Sequence, residues 1–256
     1  MVVVFLNCFL RSPGWIFHDK QSQRIPLIPK YTIVNKDTII GLCEVFGNKY
    51  CTKLATEYNK HNYNFVSAED TSSGLALAYP KNYELISNKF EAYTDSKLPD
   101  SLANKGFMHC ILKCKDCGTY SNILITHLQC TYSDDAISDR KLRRYEEIQK
   151  NQLLQLKYYI NHYKINDYIL MGDFNINKDR TDRMFMFFMK LFDYQRKTHL
   201  LTDTPTFQKT NTIIDYILVN SGKKINKTVT VQPRTAMMKR HPDVNFISDH
   251  LAISLI

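Results

Sequence analysis

Apolar residues fall along this chain in short, nearly unbroken runs at 2–9, 38–46, 74–79, 106–114, 121–128, 167–174, 212–219, 227–232 and 251–256. Each is rich in Val, Ile, Leu, Phe or Tyr and predicts a β-strand. Between them the hydrophobic period lengthens. Over 138–163, Leu142, Tyr145, Ile148, Leu153, Leu156, Tyr159, Ile160 and Tyr163 recur at three- and four-residue steps, with Arg, Lys and Gln covering the other face. That spacing predicts a long amphipathic helix, with Ser138 placed to cap its start. Segments 49–60 and 181–194 also read as helical. The stretch KCKDCGTY, 113–120, puts charged and Gly turn chemistry between two strands and predicts a hairpin. Strands that both adjoin and alternate with helices indicate a layered α/β fold with mixed sheets. No internal repeat, low-complexity tract or Gly/Ser/Pro-rich linker breaks the pattern, so residues 1–256 read as one domain.

Composition narrows the class. At 256 residues, 44% apolar and 23% charged, the chain has material for a substantial core. No apolar run approaches the ~20 residues a membrane span needs. MVVVFLNCFL lacks a basic n-region and a cleavage site and reads as a first strand, not a signal peptide. Seven scattered cysteines then suggest reduced thiols in a cytoplasmic compartment, with contact to membranes at most peripheral. The net charge of +9 favours anionic partners: nucleic acid, an acidic membrane surface or phosphorylated small molecules. Nothing in the pattern calls for a second copy, so the expectation is a monomer.

Polar intrusions into the apolar runs carry the chemistry. Glu44 sits at the end of TIIGLCEVF, where an ionised carboxylate needs an arginine, a proton or a metal ion. Asp173 and Asn175 follow the run of DYILMGDFNIN, and Asp215 interrupts NTIIDYILVN. Asp249 and His250 precede the last run, His127 ends ILITHL, and Asn7 interrupts FLNCF. Taken singly, each is ordinary: a cap, a turn or a hydrogen-bonded structural residue. Taken together, they would meet at a common sheet edge, where α/β sites are built. Converging carboxylates repel one another unless a cation neutralises them. A Glu, Asp and Asn donor set suits a hard ion, Mg²⁺ or Mn²⁺, better than zinc. Two histidines beside it would move protons. Such a set suits hydrolysis of a phosphate ester.

These residues, in this order, resemble the endonuclease/exonuclease/phosphatase superfamily, which includes deoxyribonuclease I, abasic-site endonucleases and neutral sphingomyelinases. Its motifs match Asn7 in LNCF, Glu44 in CEVF, His127 in THLQ, Asp173 and Asn175 in GDFN, Asp215 in IDYI, and Asp249–His250 in SDH. Within it, EVF, SQRIPLIPKYT (22–32), LANKGFM (102–108) and THLQCTYSDD (126–135) resemble the sphingomyelinase branch. Cys43 departs from the Gln or Asn that commonly precedes the glutamate. The transmembrane tail of some animal members and the aromatic hairpin of secreted bacterial ones have no counterpart here.

The resemblance implies a four-layer α/β/β/α sandwich of two mixed sheets, deoxyribonuclease I-like, and a Mg²⁺-dependent phosphodiesterase, with Mn²⁺ as a substitute. It implies Glu44 as main metal ligand, with Asn7 and Asp249 at or near the ion. His250 would be the base, held by Asp215, while Asp173 orients water. Asn175 would bind a phosphoryl oxygen, and His127 would serve the pentavalent state or the leaving alkoxide. The substrate implied first is a phospholipid headgroup at a membrane surface, sphingomyelin yielding ceramide and phosphocholine. A nuclease acting on DNA or RNA is the alternative, and a silent binding module a third class.

Three further features carry more than one reading. Trp15, Phe17 and Tyr132 follow motif strands and would rim the site, binding a choline group or stacking on a base. MFMFFMKLF (184–192) reads as a helix packing on a sheet rather than dipping into a membrane. His109, Cys110, Cys114 and Cys117 have partial zinc spacing, but strand alternation would put His109 on the face opposite Cys110 and Cys114.

Overall fold

The computed structural model describes residues 1–11, 20–131, 139–177, 182–192, 199–200, 204–221, 229–231 and 247–256. Among these, the strands are β1 Val2–Leu10, β2 Thr38–Val45, β3 Tyr63–Ser67, β4 Ala76–Pro80, β5 Tyr83–Ala92, β6 Gly106–Cys114, β7 Tyr120–His127, β8 Tyr168–Asp173, β9 His199–Leu200, β10 Asp215–Asn220, β11 Val229–Val231 and β12 Ile253–Leu255. The helices are α1 Gln21–Arg24, α2 Ile28–Thr32, α3 Asn48–Asn59, α4 Asp139–His162 and α5 Asp182–Leu191. Ser138 lies outside the described residues.

The strands form two six-stranded mixed sheets, β11-β12-β1-β2-β4-β3 and β5-β6-β7-β8-β10-β9. Three apolar layers explain why the strand signals are runs rather than alternations. Val4 and Leu6 of β1 face the cluster under α1–α3, with Ile40, Leu42, Leu54 and Tyr58. Val3 and Phe5 point the other way, meeting Met108, Ile125, Met171 and Ile217 of the second sheet. The outer face of that sheet, with Leu124 and Leu170, is covered by Leu153, Leu156 and Ile160 of α4 and by Phe188 of α5. Helix, sheet, sheet and helix therefore stack in four layers, as expected. The sheets approach closely at Gly41: a Cβ there would lie 2.3 Å from Met171 Sδ.

Some elements differ from expectation. β3 and β5 carry no apolar run because they are edge strands; Glu84, Lys89 and Glu91 on β5 place charge along that edge, which also blocks pairing with another chain. Tyr163, expected on the buried stripe, is 50% exposed. The hairpin at 113–120 is present, joining antiparallel β6 and β7. His109 bonds Tyr159 and Asn122, while Cys110 and Cys114 lie in the inter-sheet core and Cys117 is exposed. The four do not converge. Met184, Phe185, Phe188, Met189 and Phe192 are buried, so this helix packs on the sheet as read. No helix among the described residues is long and apolar enough to cross a membrane.

Candidate active site

One row across the second sheet sets the site. β7 and β8 run parallel with His127 beside Asp173, and β10 runs antiparallel to β8 with Asp215 on Asp173's other side. Adjacent residues of a row share a face, so the three side chains are delivered together. Gly172 permits this packing, since a Cβ there would lie 2.3 Å from the Thr126 carbonyl oxygen. The first sheet supplies the opposite wall. Asn7 on β1 is paired with Cys43 on parallel β2, and Glu44 comes next.

Glu44 does not follow its strand. Its φ is 53°, and Phe9 (51°) and Asn175 (53°) are also left-handed. Such a conformation in a residue with a Cβ costs about 1–2 kcal/mol and gathers at functional sites. The turn brings Glu44 to the cavity, where no arginine bonds to it among the described residues. Asn7 Nδ2 donates to Glu44 Oε1 at 2.9 Å and to Asp173 Oδ2 at 3.0 Å, while Asn7 Oδ1 accepts the Phe9 N–H at 3.0 Å. Asn7 thus clasps the two carboxylates with its nitrogen, and its oxygen is turned away.

Histidines close the ring. His127 Nε2 lies 3.9 Å from Glu44 Oε1 and 3.7 Å from Asp173 Oδ2. His250 Nε2 is 3.8 Å from Asp173 Oδ2, and its Nδ1 is 2.8 Å from Asp215 Oδ2. Asp173 Oδ1 accepts the Asn175 N–H, and the Asn175 amide donates to the Leu128 carbonyl. Two ligand sets overlap on Asp173: Glu44, His127 and Asp173, and Asp173, Asp215 and His250. Asp249 lines the same cavity, of about 820 Å³, but is in neither set among the described residues.

The electrostatics are those of an uncompensated acidic centre. Burial, then the Asp249 charge, pushes the Glu44 carboxyl up despite Asn7. Burial and Asp215 raise Asp173 to about 7. For His250, burial alone would lower the pKa, but Asp215, Asp173 and Asp249 together raise it to about 10. His127 moves the other way, well down, through burial and the neighbouring Lys105 charge. This set fits a hard divalent ion: carboxylate oxygens converge, and a cation would relieve their mutual repulsion.

Several residues at the site escaped the sequence reading. Lys105, 3% exposed, sits 3.0 Å from His127 Nε2, donates to the Leu128 carbonyl at 2.8 Å and pairs with Asp100 at 2.9 Å. Asp100 also accepts from Gln129 Nε2 and the Cys130 N–H. The ammonium occupies Nε2 of His127, so the ring proton belongs on Nδ1, which has no partner among the described residues. Gln149 and Gln152 of α4 reach in to hold Gln129. The Phe207 ring leans on His250 at 4.8 Å. Arg24, fully buried, donates to the carbonyls of Ile247, Phe9 and Cys8, and Ser248 Oγ donates to the Asn7 carbonyl at 2.5 Å. Both tie the Asp249–His250 segment to β1. The LANKG stretch was a signal for Lys105, and SQRIP for Arg24; nothing marked Phe207. Trp15, Phe17 and Tyr132 lie outside the described residues.

Comparison with known proteins bears on the fold. No family model matches the chain. Sphingomyelinase C of Bacillus cereus is 24% identical over 188 residues, covering 65% of this chain and 53% of that protein. The chain spans about half the length of the curated relatives it matches. Among solved structures, a doubly substituted beta toxin from Staphylococcus aureus with bound magnesium ions superposes with a TM-score of 0.74 at 18% identity, covering 99% of this chain and 98% of that one. An endonuclease/exonuclease/phosphatase family protein from Bacteroides thetaiotaomicron gives 0.71 at 16% identity, over 100% and 96%. The fold is the deoxyribonuclease I-like four-layer sandwich shared with these structures, and the sequence similarity is to sphingomyelinase C.

Proposed function

We propose that residues 1–256 form one catalytic domain, a monomeric divalent-cation-dependent phosphodiesterase that hydrolyses a phospholipid headgroup. Sphingomyelin is the first substrate, giving ceramide and phosphocholine. The observation that carries this reading is the clasped pair Glu44 and Asp173, set between one histidine held by a carboxylate and another held by an ammonium. The similarity to sphingomyelinase C favours the lipid, and cysteines that form no disulfide among the described residues fit a cytoplasmic setting.

Glu44 and Asp173 would hold the ion, Mg²⁺ with Mn²⁺ as substitute, and Asp249 would add charge from the cavity wall. When bound, Mg²⁺ supplies Lewis-acid stabilisation of the phosphoryl oxygens. Asn7 sets the spacing of its two carboxylates. His250 is protonated while those carboxylates stand uncompensated. A cation on those carboxylates would lower that affinity; the ring, having released its proton to solvent, would then accept one from the attacking water at Nε2. Asp215 holds the ring through Nδ1 and stabilises the imidazolium that forms. Asn175 and Asp173 orient the water and a phosphoryl oxygen. His127, beside the Glu44–Asp173 pair and carrying the Lys105 ammonium on its Nε2, would place positive charge against the pentavalent state, and the leaving alkoxide would take its proton from water.

The test is hydrolysis in parallel of sphingomyelin vesicles, phosphatidylcholine vesicles, plasmid and abasic DNA with Mg²⁺. Phosphocholine release from sphingomyelin, abolished by EDTA and by Glu44→Gln with the melting temperature preserved, is expected. The net charge of +9 favours a nuclease as the second reading. DNA cleavage without lipid cleavage would establish it. Turnover insensitive to EDTA would overturn the metal site.

A further inference from the structure

The mouth of the cavity carries apolar side chains that the core does not explain. Leu102, 77% exposed, is the most exposed large apolar residue among those described, and Leu98 is 63% exposed. Both sit on the loop between β5 and β6. Its Pro99, Asp100, Leu102, Ala103 and Lys105 line the cavity.

This loop is fastened from beneath. Its backbone N–H groups at Thr94 and Lys97 donate to Gln155 and Gln129. Asn151 and Gln152 of α4 donate to Asp95, Asn104 bonds Asp70, and the Asp100–Lys105 pair anchors its centre. Leu102 N–H closes a turn on the Pro99 carbonyl. A loop held this firmly could have turned its leucines inward; instead it holds them out. Around the same mouth are half-buried Phe9, Phe46 and Phe207 and two cationic side chains, Arg11 and Lys209.

We propose that Leu98 and Leu102 form a docking edge that enters the headgroup–acyl boundary of a phospholipid bilayer, with Arg11 and Lys209 at the level of the lipid phosphates. Exposed leucines on a loop that borders a cavity also lined by Arg11 and Lys209 match the apolar and cationic layering of a membrane interface. The docked orientation turns the cavity toward the bilayer, so a headgroup enters without its lipid leaving the leaflet. The inference rests on the lipid reading above, but binding is separable from hydrolysis.

The experiment is sedimentation with mixed phosphatidylcholine and sphingomyelin vesicles in EDTA, where no turnover occurs. Leu98→Ser/Leu102→Ser should weaken vesicle partition by at least about tenfold, because burying one leucine is alone worth roughly that factor. Its melting temperature should match the parent's. Tyr158→Ser/Met186→Ser serves as control: these residues are 69% and 65% exposed on the helices and do not line the cavity, and their removal should leave partition unchanged. Equal partition of parent and Leu98/Leu102 variant would overturn the proposal, as would an equal loss in the control. So would a parent that binds DNA but not vesicles. Leucine-dependent vesicle binding without lipid cleavage would leave the docking edge standing and sink the sphingomyelinase reading. Lipid cleavage with leucine-independent binding would do the reverse.

Discussion

Asn7 and Asp173 belong to different sheets, 166 positions apart, and are joined by a 3.0 Å hydrogen bond. The same amide nitrogen reaches Glu44. One neutral side chain therefore sets the distance between two carboxylates that would otherwise repel.

That repulsion makes the metal-free protein sensitive to pH. Asp173 is raised from 3.8 to about 7, so between those values the native state holds a proton that the unfolded chain has released. Stability of the metal-free protein then falls as pH rises through this window. Asp173→Asn should remove that slope and raise the metal-free melting temperature at pH 8 by a few degrees, about 2–4 °C per kcal/mol for a chain of this size. The stabilisation that Mg²⁺ gives the parent should disappear. Calorimetry with and without Mg²⁺ reads both.

The His250–Asp215 pair titrates in a second window. His250 is raised from 6.5 to about 10, so the pair's contribution is complete below pH 6.5 and is lost as pH climbs to about 10. Asp215→Asn should flatten urea midpoints measured across that range without Mg²⁺. With Mg²⁺ at neutral pH, its kcat should drop about 10²–10⁴-fold, the usual worth of general acid–base assistance. Near-parental turnover would remove Asp215 from the mechanism.

Lys105 is held by structure as much as by chemistry. Lys105→Met would leave Asp100 buried without its cation, a change that costs about 3–5 kcal/mol in other buried pairs. Chemical denaturation should show a loss of that order. Burial still holds the His127 pKa down in the variant, but without the ammonium it should rise, as followed by imidazole NMR resonances. An unchanged His127 titration would mean that Lys105 does not govern that ring.

Gly172→Ala probes the row His127–Asp173–Asp215. The added Cβ would meet the Thr126 carbonyl oxygen at 2.3 Å, backbone that cannot swing aside. Destabilisation of about 1–3 kcal/mol is expected from such overpacking. Activity should fall further than stability alone explains, because Asp173 is the next residue. A melt and a specific-activity measurement on the folded fraction separate the two.

The central strands were legible because burial on both faces writes continuous apolar runs, and the site because each polar intrusion stands against that background. β3 and β5 were not: an edge strand alternates weakly and carries charge. Lys105 and Gln129 stand inside the LANKG and THLQ stretches with nothing there to mark their roles, and Asp100 had no signal. In sequence all three are ordinary loop residues; Asp100 and Lys105 pair only in the fold, and α4 brings Gln149 and Gln152 to Gln129. Asn7 was read as standing near the ion; in the structure its amide nitrogen bonds the two carboxylates, Glu44 and Asp173.

The absence of a side chain at Gly41 lets Met171 of the facing sheet settle against the backbone of β2, three residues before Glu44. The thickness of the sandwich is thus gauged next to the place where its two halves bring Glu44 and Asp173 together, the proposed ion site. A separation of about an ångström would leave the core dry and the strands paired, yet it would break hydrogen bonds of the length Asn7 makes. The chain behaves like a calliper whose jaws are Glu44 and Asp173, with catalysis registering slack that far-ultraviolet spectra would miss.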